Sequence, residues 1–254
     1  MNRDESHARP ESWPPQIIQT NPNKNAPSAV YPIDPPAGTW CGANSSGLIA
    51  ALLNRNPGTA PAFHRAAGIR SRGVIIPLLL QYTAAAKALN QLTVEKLEKF
   101  APFTLIASDE HGLHECTWGE DGWHHISHDF SACHLAQHSA PQARCWTSSG
   151  YGDAWVAEAR SPIFQEHFLN KPSQQRQDAL HHRRDGNDGA RWIWMRREDA
   201  RTVSRTTFDI HKDRVCCHYT AFDAVDRPSD AADIILTRNE HHNHQRNAAA
   251  TKAG

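Results

Sequence analysis

The rhythm of hydrophobic and polar positions changes several times along the chain, and each change marks an element. The run "GTWCGANSSGLIAALLN" sets two short apolar stretches on either side of a Ser-Ser-Gly turn, predicting a hairpin of Thr39 to Asn44 and Leu48 to Asn54. From Ser71 the period lengthens. "SRGVIIPLLLQYTAAAKALNQL" is rich in Ala and Leu and predicts helix, with Pro77 acceptable only in a first turn. "TVEKLEKF" predicts a second short helix with Thr93 as its N-cap. "FTLIASD", "GLHECTWGE" and "GWHHISHDF" then alternate between His-Gly and Asp-Gly turns, which predicts a three-stranded meander. Helices are expected over Val156 to Leu169 and about Ser173 to Arg184. Two strands follow, "TVSRTTFDI" and "VCCHYTAF", joined by a turn at Lys212-Asp213. Strands, helices and further strands in this order argue an α+β layered domain.

Two stretches lack either rhythm. Eight of the 16 prolines fall between Pro10 and Pro36, which excludes helix and interior strand for most of residues 10–36 and predicts a Pro-rich loop. Loops of such length are usually functional or disordered. Beyond Val225 the composition turns polar, and residues 226–254 read as a disordered C-terminal tail behind a single domain of residues 1–225.

Composition narrows the classes. The 254 residues carry 27 Lys plus Arg against 27 Asp plus Glu, so no overall field favours nucleic acid or an anionic membrane. The longest aliphatic run, "VIIPLLL", is far too short to span a bilayer. Six cysteines without a C-x-x-C pair argue against a zinc knuckle, a thioredoxin-type site or a disulfide framework. Reduced thiols in the cytoplasm are the plain reading. Cys216 and Cys217 alternate sides of a strand, which sends one to the core and one to the surface.

The 17 histidines are the one strong bias and invite a metal reading. His124 and His128 share a strand face that His125 opposes; His134 and His138 stand four apart, which suits a metal only on a helix. His241, His242 and His244 sit in the tail. No H-E-x-x-H and no Cys at a standard offset accompany them, so the grouping reads as coincidence in a His-rich chain, with no metal and no cofactor expected.

A set of short motifs adds a resemblance. "NRDE" at Asn2 to Glu5 is followed after three residues by Arg9-Pro10; Asp34 precedes "AGTWCG"; then come "GLIAALLN", "SRG" at Ser71 to Gly73, and "ARTVSRTTFDI" with its Arg201-Thr202 pair. In this order they resemble the NRDE family, also called the transport and Golgi organisation protein 2 family, over most of the chain up to about Phe222. That family resembles the N-terminal nucleophile hydrolases. The resemblance implies an αββα sandwich of two antiparallel sheets between helix layers. It also implies cleavage of a small-molecule amide by a Cys at the first processed position, its own α-amino group taking the thiol proton.

On this resemblance Arg3 and Asp4 orient and stabilise, while Asn2, Glu5, Arg9, Asp34, Trp40, Arg201 and Thr202 line the site. Each has a plainer alternative. Asn2 to Glu5 can be a solvated terminus. Trp40 can be a core side chain beside a Gly42 that needs φ above zero. Asp34 can cap a turn, and Arg201-Thr202 can be a cross-strand surface pair.

The chain departs from the family at one place. Members usually begin Met-Cys and run through a strand and a turn before the motif, whereas here the motif follows Met1 directly and the nearest Cys is Cys41. The nucleophile and a first strand are therefore expected upstream of Met1, leaving one sheet a strand short as written. The alternative is a non-catalytic haem- or lipid-binding protein, or an inactive truncated member; no C-x-x-C-H haem attachment motif is present.

Overall fold

The computed structural model of the protein describes residues 1–21, 26–35, 38–56, 69–130 and 143–238. Side chains that alternate in burial build two antiparallel sheets. The four-stranded sheet runs in the order β1 (Asn2–Ser6), β9 (Ala200–Ile210), β10 (Arg214–Phe222), β11 (Pro228–Thr237). The seven-stranded sheet runs in sequence order: β2 (Trp13–Gln19), β3 (Ser28–Ile33), β4 (Cys41–Asn44), β5 (Ile49–Asn54), β6 (Phe103–Ser108), β7 (Gly112–Gly119) and β8 (Gly122–Asp129).

The two sheets pack face to face. Val30 and Ala43 of one meet Val215, Cys217 and Leu236 of the other, and Trp40, Cys41 and Tyr219 extend this inter-sheet core. The other face of the seven-stranded sheet is covered by α1 (Ile75–Leu79), α2 (Ala85–Leu89) and α3 (Val94–Leu97), whose Ile75, Ile76, Leu79, Ala88 and Leu97 pack on Ala29, Leu48, Ala50 and Leu52. Across the molecule, α4 (Asp153–Phe164) and α5 (Gln174–His181) lie on the four-stranded sheet; Asp178 of α5 pairs with Arg205 of β9 at 3.2 Å. The layers are helix, sheet, sheet, helix, as the resemblance implied.

The hairpin and the meander form where the turn residues place them. Gly47 and Gly122 both adopt positive φ, 87° and 88°, in their turns. The Ala/Leu-rich helix is two short ones, because Gln81–Ala84 turns the chain between them; Pro77 occupies the first turn of α1. The helix expected from Val156 begins earlier, at Asp153, and ends in a widened π turn over Gln165–Leu169. Cys217 is buried and Cys216 half-buried, as alternation required.

Three expectations need correction. Residues 10–36 contain two strands, one of them the interior strand β3. The prolines are tolerated because β2 is an edge strand whose register breaks between Trp13 and Gln16, where Pro14 and Pro15 sit, and because β3 pairs β4 only through Ala29 and Val30, short of Pro32. The polar stretch after Val225 supplies β11, which turns Ile234 and Leu236 inward and leaves Ile235 exposed; residues 239–254 lie outside the described residues. Gly42 does not adopt positive φ. It is needed for space, since a Cβ there would sit 2.7 Å from Leu80 and 2.9 Å from Tyr31.

Asn44 ties this packing together. Its side chain is fully buried and makes four hydrogen bonds: Nδ2 donates to the carbonyls of Leu80 (2.9 Å) and Tyr82 (2.7 Å), and Oδ1 accepts from the Ser46 and Leu48 amides (3.0 and 3.1 Å). The capacity of the amide is thereby filled.

Candidate functional site

A strand sends successive side chains to opposite faces, so the NRDE motif on β1 divides. Arg3 and Glu5 face one way, with Asp34 and Trp40. Asn2 and Asp4 face the helix layer of α4 and α5.

Arg3 is only 6% exposed and its guanidinium is held from several sides. Nη2 lies 2.8 Å from Asp34 Oδ1 and 3.0 Å from Glu5 Oε1, and Nη1 donates to Ser12 Oγ at 2.6 Å. The guanidinium carbon stands 4.0 Å from the centroid of the Trp40 ring, a close cation–π stack. Arg9, at the rim, closes the network by pairing with both Glu5 (3.0 Å) and Asp34. Two guanidinium groups thus balance two carboxylates. A planar fork is suited to this, because it donates in fixed directions that a Lys cannot reproduce.

The loop carrying Asp34 is held by its own backbone. Asp34 and Gly38 exchange N–H···O bonds of 2.7 and 2.8 Å, and the Thr39 amide donates to the Gly73 carbonyl at 3.0 Å. A Cβ on Gly38 would approach the Gly73 Cα to 3.1 Å, so close approach explains both glycines. Trp40 is buried, and its indole N–H has no partner among the described residues.

On the other face of β1, Asn2 Nδ2 donates to the carbonyls of His181 at the end of α5 (2.8 Å) and of Ile193 in the segment that follows it (3.0 Å). The Thr202 hydroxyl donates to Asp4 Oδ1 at 2.6 Å and accepts from the Met195 amide at 3.0 Å. Burial pushes the Asp4 carboxyl above its ordinary value, against smaller opposing pulls from Thr202, Arg160 and Arg197. Arg201 turns elsewhere and donates to the carbonyls of Phe222 (2.9 Å) and Thr202 (3.2 Å). Of the nine residues the sequence points to, Arg3, Glu5, Arg9, Asp34 and Trp40 therefore come together. Asn2, Asp4 and Thr202 fasten the helix layer, and Arg201 joins neither group.

Next to Trp40 in the inter-sheet core lies Cys41, 2% exposed, with Met1 packed against it. Burial pushes its thiol up to about 11, opposed by weaker effects of the Met1 amino group, the Thr206 hydroxyl and Arg3. The Met1 amino group donates to the Thr206 carbonyl at 2.5 Å, and burial lowers its pKa. At neutral pH this thiol is protonated, and the thiolate is the form that attacks.

The family model described as Transport and Golgi organisation 2 matches residues 1–142. That is more than half of the 254 residues. The chain belongs to the Transport and Golgi organisation 2 family. The matched span includes β1 to β8 and all five residues of the Arg3 cluster, while Arg201 and Thr202 lie beyond it. No curated protein matches this family member in sequence.

Solved structures with a similar course of chain include a mutant of the conjugated bile acid hydrolase from Clostridium perfringens, at TM-score 0.42 and 10% identity over 93% of this chain and 87% of that one. Penicillin V acylase from Agrobacterium tumefaciens gives 0.44 and 14% over 92% and 81%. A second variant of the Clostridium perfringens hydrolase gives 0.45 and 10% over 93% and 88%. The layered architecture of this family member rests on its own sheets and helices rather than on these scores.

Sequence reading missed Ser12, Arg160, Arg197 and the burial of Cys41 between the sheets against Met1. Ser12 stands in "PESWPP", where nothing but proline context is visible. Cys41 had a signal: it stands two positions before Ala43 on one strand, and residues two apart share a face. No group of three or more His, Cys, Asp or Glu side chains converges as a metal site among the described residues, and none of their helices is long and apolar enough to cross a membrane.

Proposed function

We propose that this chain carries the supporting part of the reaction centre of an amide-bond hydrolase of the N-terminal nucleophile kind, with Arg3 as its fixed positioning cation and the nucleophile outside the chain as given. The observation that supports this is the buried Arg3 fork, aimed by Asp34, Glu5 and Ser12 and backed by Trp40. Donors set before the reaction cost no reorganisation when charge develops on a carbonyl oxygen. Cys41 is a poor nucleophile here, with a buried thiol at about 11. The attack is therefore assigned to a Cys at a processed N-terminus upstream of Met1, acting on a small amide in the cytoplasm, with its own amine as base.

The test is to read the genomic DNA ahead of the Met1 codon and express the longer protein. A Met-Cys start is expected, with acyl transfer abolished when that Cys becomes Ala. An in-frame stop directly before Met1, with no Met-Cys start further up, overturns the proposal.

The neutralised Arg3 and the protonated Cys41 favour a second reading for the chain as it stands, a protein that holds haem or an acyl group without cleaving it. Hemin added to purified protein separates the two. A shifted Soret band that a His-matched control lacks supports haem binding, and no shift at micromolar hemin removes it.

A further inference from the structure

Far from Arg3, strands β7 and β8 rearrange the histidines that the sequence grouped. His124 Nε2 turns back to the Asp121 carbonyl at 2.8 Å, and His128 Nδ1 lies 3.2 Å from Arg144 Nη2. His125 instead meets His114, a residue with no place in the sequence motif. Cys116 is the register partner of His125, and Ser127 that of His114, so the two imidazoles are diagonal neighbours on one sheet face. Their nitrogens, His114 Nδ1 and His125 Nε2, stand 3.0 Å apart, with ring centroids 5.2 Å apart and planes inclined by 35°.

Two neutral imidazoles at this distance share one proton. A metal ion can replace that proton once each ring turns so that both lone pairs meet on it, two imidazole nitrogens each about 2.0–2.1 Å from one ion. We infer that His114 and His125 form a two-point site for a divalent transition metal, Cu²⁺ above all, with solvent or a small ligand in the remaining positions. Cu²⁺ stands at the top of the divalent stability order for nitrogen sites. His125 is exposed and His114 half-buried, so a small turn of each ring brings both lone pairs onto one ion without disturbing the core.

The test must find the site, because a chain with 17 histidines takes up copper elsewhere too. Copper sulfate is added in substoichiometric steps to isotope-labelled full-length protein, and paramagnetic broadening is mapped by NMR. The first broadening is expected at the His114 and His125 rings and the neighbouring β7 and β8 amides. His125→Ala and His114→Asn should each move it elsewhere while leaving the remaining spectrum folded, and His124→Ala should leave it in place. Zinc at the same concentration should shift these resonances less readily than copper broadens them. First broadening at another histidine, or broadening here that survives both variants, overturns the inference.

Discussion

The two faces of β1 carry adjacent residues of one motif and do different work. On one face, Arg3 and Glu5 enter a charged network with Asp34 and Arg9, screened from water by Trp40. On the other, Asn2 and Asp4 make neutral or charge-assisted hydrogen bonds that hold a helix layer in place. Removing a charge from the first strands its partners. Removing a group from the second leaves only neutral partners unpaired. The comparison teaches that a motif written as four consecutive letters is, on a strand, two pairs with separate purposes.

Substitutions along β1 can break that distinction. The largest effect is expected for Arg3→Ala, which leaves the Asp34 and Glu5 carboxylates facing each other without their buried cation; about 3–5 kcal/mol of stability should be lost in urea unfolding. Arg3→Lys should recover only part of this, since one ammonium cannot reach both carboxylates and Ser12. Asn2→Ala should cost about 2 kcal/mol by the same measurement, through the two unpaired carbonyls of His181 and Ile193. Equal losses at Arg3 and Asn2 would erase the difference between the faces.

Asp4→Asn should show its effect in pH dependence rather than size. Because burial raises the folded pKa above the ordinary 3.8, the carboxyl favours folding fully below that value and loses this contribution as pH rises through the folded pKa. Urea midpoints from pH 3 to pH 8 should therefore shift in favour of the Asn variant as pH rises. A shift in the opposite direction would mean that Arg160 and Arg197 outweigh burial. Smallest of all, Arg9→Ala should cost about 1 kcal/mol or less, and the difference should shrink in high salt, because its side chain is 44% exposed.

Much of the fold is legible in the sequence wherever a turn residue and an alternating run coincide. Gly47 and Gly122 take the positive φ their turns require, and the hairpin and meander follow. β2 and β3 escape because Pro14, Pro15 and Pro32 look prohibitive until one knows that β2 is an edge and that β3 pairs its other neighbour only before Pro32. β11 escapes because it is exposed along most of its length, and only Ala232, Ile234 and Leu236 carry the inward pattern. The site is legible in composition and not in partition. Period-two alternation separates Arg3 from Asp4 as soon as the motif is known to be a strand. Nothing in the sequence says that Thr202 would join Asp4, or that Arg201 would reach for the carbonyl of Phe222.

Asn44 carries a consequence for motion. One amide terminates α1 through the Leu80 and Tyr82 carbonyls and at the same time shapes the turn between β4 and β5. Neither piece can open while the other stays satisfied. The turn amides of Ser46 and Leu48 and the last turn of α1 should therefore exchange their hydrogens with deuterium together, at one shared opening free energy, although 36 residues of sequence separate Asn44 from Leu80.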